Sequence, residues 1–452
     1  MWELIALVAG AVGAGSLIGF LPLHLDRNAL LKKWREAAKA GGFTVEETSG
    51  AWAGRAGVKA KDGPLKLWIG HARGNQPGNY IVIEVAGPPG FYAVRIRSQS
   101  SERLATETDT GDPLFDSKFF VSGPQRLVTA LLDAETRRLL LRADQGSGLI
   151  EIAHGQLQVR IGPSLISSLL SLLRELCQRL TQPLDVVQRL ADNARHDPEA
   201  GVRLRNLLLL ARELPDDPRT GEALRAACSD AAPWVRLRAA EEIGAEGRGI
   251  VLAFAESTEQ DDLSVEAISF LGRDLPVERV RDILIQALRR RHLMTAHACL
   301  KRLGLNQDPA DVELLAKVMA REESELAAAA AQALEALGSP AAEPALVLAL
   351  QGKPPDLRVA AAHALSRFGS TAAVLPLKEA AERFPHDPDL QKATRQAVAA
   401  IQSRLPGASP GQLSLAGDEA GKLSLAQTEG GELSIADEPD GQLSLSGGEE
   451  EV

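Results

Sequence analysis

The chain has 452 residues, 45% hydrophobic, 24% charged and only 4% aromatic, with a formal net charge of −10. That length exceeds one ordinary core and implies two or three folded units. Ten acidic residues and one lysine lie between 405 and 452, so this tail carries nine of the net negative charges. The body is therefore nearly neutral, which argues against a dedicated nucleic-acid binder. Cys177, Cys228 and Cys299 are far apart. They suit small core residues in a reducing compartment better than a disulfide framework or a zinc cluster.

Residues 4–23 form an uncharged apolar run. As a helix such a run rises about 30 Å, enough to cross a bilayer core. Glu3 stands where a secretory signal would be basic, no small-x-small cleavage site follows, and Arg27, Lys32, Lys33 and Arg35 come after the run. These features predict a single-pass transmembrane anchor in a bacterial inner membrane, with the body in the cytoplasm. Residues 24–40 continue as a short juxtamembrane helix with a polar face.

From 41 to 181 the period changes to that of an α+β domain. Strands are predicted at 44–47, 65–69, 80–85, 92–97, 118–121, 138–141, 149–152 and 156–161, separated by glycine turns. Residues 127–133 are a short helix or loop, and the apolar-periodic helix at 164–180 is available to cover the sheet. Within this domain, residues 111–119 form the most distinctive local phrase. A glycosidase reading would pair Asp112 with Asp116 across a cleft, but an offset of four residues does not establish opposed placement. The alternative is a turn in which Asp112 caps, Asp116 accepts backbone N–H groups, and Phe115 and Phe119 enter the core.

Between 182 and 404 one helical phrase recurs seven times, beginning at Val202, Val235, Leu263, His292, Leu326, Leu357 and Leu390. The offsets of 33, 28, 29, 34, 31 and 33 residues are those of an α solenoid built from helical hairpins. Small residues at the fifth and sixth positions let two backbones approach closely. Asp356, Arg358, Ala361, Ala362, Leu365 and Gly369 fit the pattern D-x-x-V-R-x-x-A-A-x-x-L-G-x-x-G in one copy. Val235, Arg236, Ala239, Ala240, Ile243, Gly244 and Gly247 fit it in another. On these residues, the stretch from about 197 to 404 resembles the short bacterial repeats of the HEAT family. The resemblance implies a surface that holds proteins together and carries no catalytic constellation.

Candidate contact residues on the repeats are Trp234 and Arg236, and the basic cluster Arg289, Arg290, Arg291, Lys301 and Arg302. An indole offers apolar area with a donor, and clustered cations suit an acidic peptide or another anionic ligand. The plain alternatives are a helix interface for Trp234 and a solvated helix end for the arginines. His292 and His297, five residues apart, are poorly spaced as helix metal ligands. No catalytic, cofactor or metal residue is assigned.

Residues 405–452 form an acidic, low-complexity tail, predicted to be disordered, with four ten-residue copies centred on Leu413, Leu423, Leu433 and Leu443. Each Leu-Ser-aliphatic core is too short for a stable strand alone, so the copies read as repeated docking segments or as a solubilising tail. The sequence as a whole predicts a membrane-tethered, non-enzymatic scaffold that binds cytoplasmic protein or peptide partners through its solenoid and tail. The alternatives are an enzyme using a cleft in the α+β domain, or a lipid or phosphate sensor using the basic cluster near 289–302.

Overall fold

The structure, a computed structural model, describes residues 27–47, 51–52, 55–72, 78–98, 108–147, 149–161, 166–257, 259–321, 325–405, 413–415 and 423–425. The run at 4–23 lies outside these residues. The expectation of a single-pass inner-membrane protein is nonetheless corrected, because no helix among the described residues is long and apolar enough to cross a membrane. The first helix, α1 (Arg27–Ala40), has 14 residues and carries lysines and arginines along its length. Such a helix rises only about 21 Å. Nor does its apolar face wait for a lipid surface: Trp34 and Ala38 are buried in a core shared with the sheet.

Contacts divide the chain into two units, one ending at Ile250 and one beginning at Val251. The first contains an antiparallel sheet made of β1 (Thr44–Glu47), β2 (Ala51–Trp52), β3 (Arg55–Asp62), β4 (Leu65–Ala72), β5 (Gly78–Glu84), β6 (Arg95–Ser98), β7 (Phe119–Ser122), β8 (Ile150–Ala153) and β9 (Gln156–Ile161). Their order is β1-β3-β4-β5-β9-β8-β6-β7, with β2 pairing off β3. The register sets Trp68 opposite Val82 and Ile81 opposite Val159. Because side chains alternate between faces, Leu67, Ile69, Ile81, Ile83, Leu157 and Val159 enter one large core, while Trp68, Tyr80 and Val82 form a small cluster of their own.

Four further helices belong to this fold: α2 (Pro113–Asp116), α3 (Gln125–Leu131), α4 (Ala134–Ser147) and α5 (Ile166–Thr181). The strand expected at 138–141 is the middle of α4. Leu139 and Leu140 are buried, but so is Ala143 one turn later, and the period is helical. A short apolar run fits either period, and here the flanking residues decide. β3 was not anticipated, since its alanines, glycine and lysines lack the β-branched signature.

The helical-repeat region follows with α6 (Val186–His196), α7 (Ala200–Glu213), α8 (Pro218–Ala227), α9 (Pro233–Glu242) and α10 (Arg248–Ala255). It continues with α11 (Asp261–Leu271), α12 (Val277–Arg290), α13 (Leu293–Asn306), α14 (Val312–Arg321) and α15 (Glu325–Leu337). It closes with α16 (Glu343–Ala349), α17 (Pro355–Phe368), α18 (Val374–Arg383) and α19 (Pro388–Ser403). The recurrent phrase supplies the second helix of each hairpin, α7 through α19 in steps of two. In the second unit α12 packs on α13, α14 on α15, α16 on α17 and α18 on α19. One-turn segments such as Pro309–Asp311, Pro340–Ala342 and Thr371–Ala373 carry the chain to the next pair.

Within that unit α11, α13, α15, α17 and α19 form a tightly stacked layer, while the partner helices touch one another far less. The sequence explains the difference. Ala329, Ala330, Ala331, Ala361, Ala362 and Ala397 are buried in the tight layer, and a methyl group on Gly304 would lie 2.7 Å from the Ala333 carbonyl oxygen. Small side chains bring these helices close.

In the first unit a buried arginine joins the sheet domain to the first repeat helices. Arg137, on α4, is 2% exposed. Its Nε donates to Asp112 Oδ2 at 2.8 Å, and its terminal nitrogens donate to Asp197 at 2.9 and 3.0 Å and to the Leu132 carbonyl at 2.8 Å. The loop carrying Asp112 also touches α7 backbone to backbone. A Cβ on Gly201 would lie 2.2 Å from the Gly111 carbonyl oxygen, and Gly111 itself has φ +90.

The same device recurs along the repeats. Arg203 donates to both Asp230 oxygens at 2.7 Å and, through Nη1, to the Asp197 and Pro198 carbonyls. Arg358 repeats the arrangement on Asp387 and the Gly352 and Lys353 carbonyls, with its guanidinium 3.9 Å from the centre of the Phe384 ring. Thus the pattern arginine ties one hairpin to the turn before it and the aspartate after it.

Two predictions follow from these pairs. Asp197→Ala leaves a buried guanidinium short of its bidentate partner, so it is expected to lower stability in urea unfolding by about 3–5 kcal/mol. Burial works against the charged forms of Asp133 and Asp230, but their bonds from Arg179 and Thr136, and from Arg203 and Ala232, hold both carboxyls below the usual range. The Leu390 N–H and Arg358 do the same for Asp387. Depressed carboxylates stabilise fully above the unfolded value of about 3.9 and lose that contribution as pH falls through their folded values. The thermal midpoint should therefore be flat from about pH 5 to 8 with respect to these groups and drop steeply below about pH 4.

Candidate functional site

In the second unit an open groove of about 960 Å³ is lined by α11, α13 and the start of α15, together with the C-terminal ends of α12 and α14. Its apolar floor is Val265, Leu288, Leu293, Met294, Ala298 and Leu326. Leu293 is 47% exposed and Met294 56%, unusual for large apolar side chains at the start of a repeat helix. Around them stand Arg291, His297, Lys301 and Arg321, with Glu325 as the acidic member.

Local structure fixes the backbone at Arg291 and at the start of α13. α12 ends at Arg291, whose φ of 60 and ψ of 35 close the helix in the left-handed region, with the His292 N–H donating to the Ala287 carbonyl at 2.9 Å. Glycine is the usual residue there, so arginine accepts a conformational cost. Asp261, on α11, caps the start of α13 from the neighbouring hairpin. It accepts from the Met294 N–H at 3.1 Å, the Thr295 N–H at 2.8 Å and the Thr295 hydroxyl at 2.6 Å. Despite burial, these bonds from Thr295 and Met294 keep the Asp261 carboxyl below the usual range. A charged cap therefore fixes the backbone at the start of α13, from which Leu293 and Met294 project.

The structure separates the residues singled out in the sequence. Arg291 and Lys301 line the groove, and Arg289 and Arg290 are exposed on the last turn of α12. Arg302 turns away, donating to the Gly272 carbonyl at 2.8 Å. In the first unit Trp234 is 39% exposed at the start of α9, while Arg236 is half-buried and donates to the Asp230 and Ala231 carbonyls. Arg236 thus supports the turn before its own helix. Leu413 and Leu423 lie in β10 (Leu413–Leu415) and β11 (Leu423–Leu425), which pair antiparallel with Ser414 opposite Ser424. Leu433 and Leu443 lie outside the described residues.

Leu293, Met294, His297, Arg321 and Glu325 were not assigned to a binding surface from the sequence. The available signal was a Leu-Met pair opening one of the two weaker repeat copies, but its exposure depends on how α11 and α15 flank it.

Asp112 and Asp116 are both committed to the turn at 111–119. Asp112 accepts from the Phe115 N–H and from Arg137, while Asp116 accepts from the N–H groups of Thr110 and Gly111 and from the Thr110 hydroxyl. Phe115 and Phe119 stack at 4.8 Å in the core beneath them. A second depression of about 680 Å³ in the first unit lies beside this turn, lined by Leu204, Arg205, Leu208, Arg212 and Arg238 among others. Cys177 and Cys299 are buried, and burial pushes both thiols up, that of Cys299 to about 12. Among the described residues no cluster of three or more His, Cys, Asp or Glu side chains could hold a metal ion.

No curated protein matches the chain. Among solved structures it is similar to human deoxyhypusine hydroxylase in complex with glycerol, with 18% identity over 48% of this chain and 96% of that one. The TM-score is 0.20. Residues 317–399 match the family model for HEAT repeats. This match runs from within α14 through most of α19, the part of the repeat region with the most regular tight layer. Residues 317–399 thus belong to the HEAT-repeat family.

Proposed function

We propose that the protein is a scaffold whose second unit holds an acidic, leucine-bearing peptide segment of a protein partner in the groove between α11, α13 and α15. The observation that carries this reading is the exposed Leu293–Met294 pair framed by Arg291, Lys301 and Arg321. HEAT repeats generally mediate protein–protein interaction, which fits a peptide in such a groove. Apolar anchors in the centre supply affinity, while a rim of cations selects acidic sequences and speeds encounter.

A photoreactive peptide of alternating Glu and Leu, added at saturation to the full chain, is expected to label residues 288–301 and 321–326. Equal labelling by a peptide of alternating Lys and Leu, or labelling confined to other surfaces, would sink the assignment. Arg291 gives an independent check, since its backbone favours glycine. Arg291→Gly should leave urea stability unchanged or raise it by up to about 1 kcal/mol, while weakening the acidic peptide about tenfold in a fluorescence titration. A variant that loses stability and binding together would instead make Arg291 a structural residue.

A further inference from the structure

We propose that the groove is occupied, in the same molecule, by the third and fourth ten-residue copies of the chain's own tail, residues 431–446. The inference rests on the reading of the groove as an acidic-peptide site and names its resident ligand.

Charge is the first argument. Residues 431–446 hold four acidic residues and no basic one, whereas the first two copies, residues 411–426, hold two acidic residues and one lysine. Among the described residues the groove lining presents Arg291, Lys301 and Arg321 with one carboxylate, Glu325. The more acidic half of the tail is therefore its better complement. Leu433, Ile435, Leu443 and Leu445 provide alternate apolar side chains for the exposed floor at Leu293 and Met294.

Reach is the second argument, and it selects among the copies. From α19 to α13 is three helix spacings, about 30 Å, or about 40 Å when the length of α19 is included. The final described residue of α19's end is Leu405. Leu413 follows eight residues later, a span of at most about 26 Å, which is too short. Leu433 follows 28 residues later and reaches about 90 Å. The second copy lies between these limits, but its Leu423–Leu425 strand is paired with Leu413–Leu415 of the first. That pairing ties the second copy to the first, which cannot reach the groove, so the third and fourth copies are the ones free of that tether.

The test titrates full-length protein with a fluorescent peptide of residues 431–446. An attached tail competes at high effective concentration. Replacing Leu433, Ile435, Leu443 and Leu445 together by Ser is therefore expected to tighten peptide binding at least tenfold over wild type. Met294→Glu with Lys301→Glu should abolish binding in both backgrounds. If that pair melts below wild type, Arg291→Glu, at an exposed position, serves as the second groove variant. Equal affinity for the wild-type and tail-substituted proteins would overturn occupancy by the tail while leaving the acidic-peptide reading intact. Failure of the 431–446 peptide to bind would also overturn it, and failure of the Glu-Leu peptide as well would remove the underlying reading. Light scattering provides the remaining arm. A monomer at all concentrations supports the intramolecular contact, whereas a dimer lost on tail substitution would put the tail in a second copy and overturn it.

Discussion

The Arg137 guanidinium is the point on which the first unit turns. It is almost fully buried, and it meets a carboxylate from the loop before β7 on one side and a carboxylate from the loop before α7 on the other. A charge removed from water at that depth costs several kcal/mol unless its partners are well placed. The geometry therefore permits little slack. Asp112 must cap α2, Asp197 must end α6, and the backbone must pass between them with glycine at 111 and 201. This constraint explains why α6 to α9 group with the sheet: the repeat helices begin on an ion pair whose other half belongs to the α+β domain.

The repeats inherit the same chemistry in a less buried form. In the first unit Asp197 accepts from Arg137 through its side chain and from Arg203 through its carbonyl, and Asp230 serves Arg203 and Arg236 in the same two ways. Arg358 and Asp387 repeat the motif in the second unit. Such ties specify which turn faces which helix, while the alanine-rich layer supplies the close packing. Because burial and bonding are divided this way, the arginines of the repeat pattern are spent on the fold. Cations outside the pattern, at the copy beginning near His292, include Arg291 and Lys301, which line the groove. Divergence there combines three departures: arginine in a left-handed cap, exposed leucine and methionine, and a helix capped by its neighbour's Asp261.

Much of the architecture was legible in the sequence. The six offsets near 31 residues identified the repeat helices, the two periods located the α+β domain, and the turn at 111–119 was readable because Asp112, Asp116 and two phenylalanines can act locally. Local readings failed where a short apolar run suits both periods, as at 138–141, and where small residues hide a strand, as in β3. The membrane expectation rested on residues 4–23, which lie outside the described residues, and no described helix is long and apolar enough to span; α1, expected to lie beside a membrane, packs its apolar face on the sheet instead.

What the sequence determined by itself was periodicity: which residues recur, where helix gives way to strand, and where negative charge accumulates. These are properties of the chain read in order, and backbone geometry converts them directly into elements. Tertiary structure alone decided which charges are paired. Arg137 and Asp197 are 60 residues apart, Arg203 and Asp230 are 27 apart, and nothing in either separation marks a partner. It also decided that Arg302 turns inward while Arg291 and Lys301 share a groove with Met294. The physical reason is that burial and pairing depend on distance in space, and the folding of three separate helices onto one layer is what sets that distance.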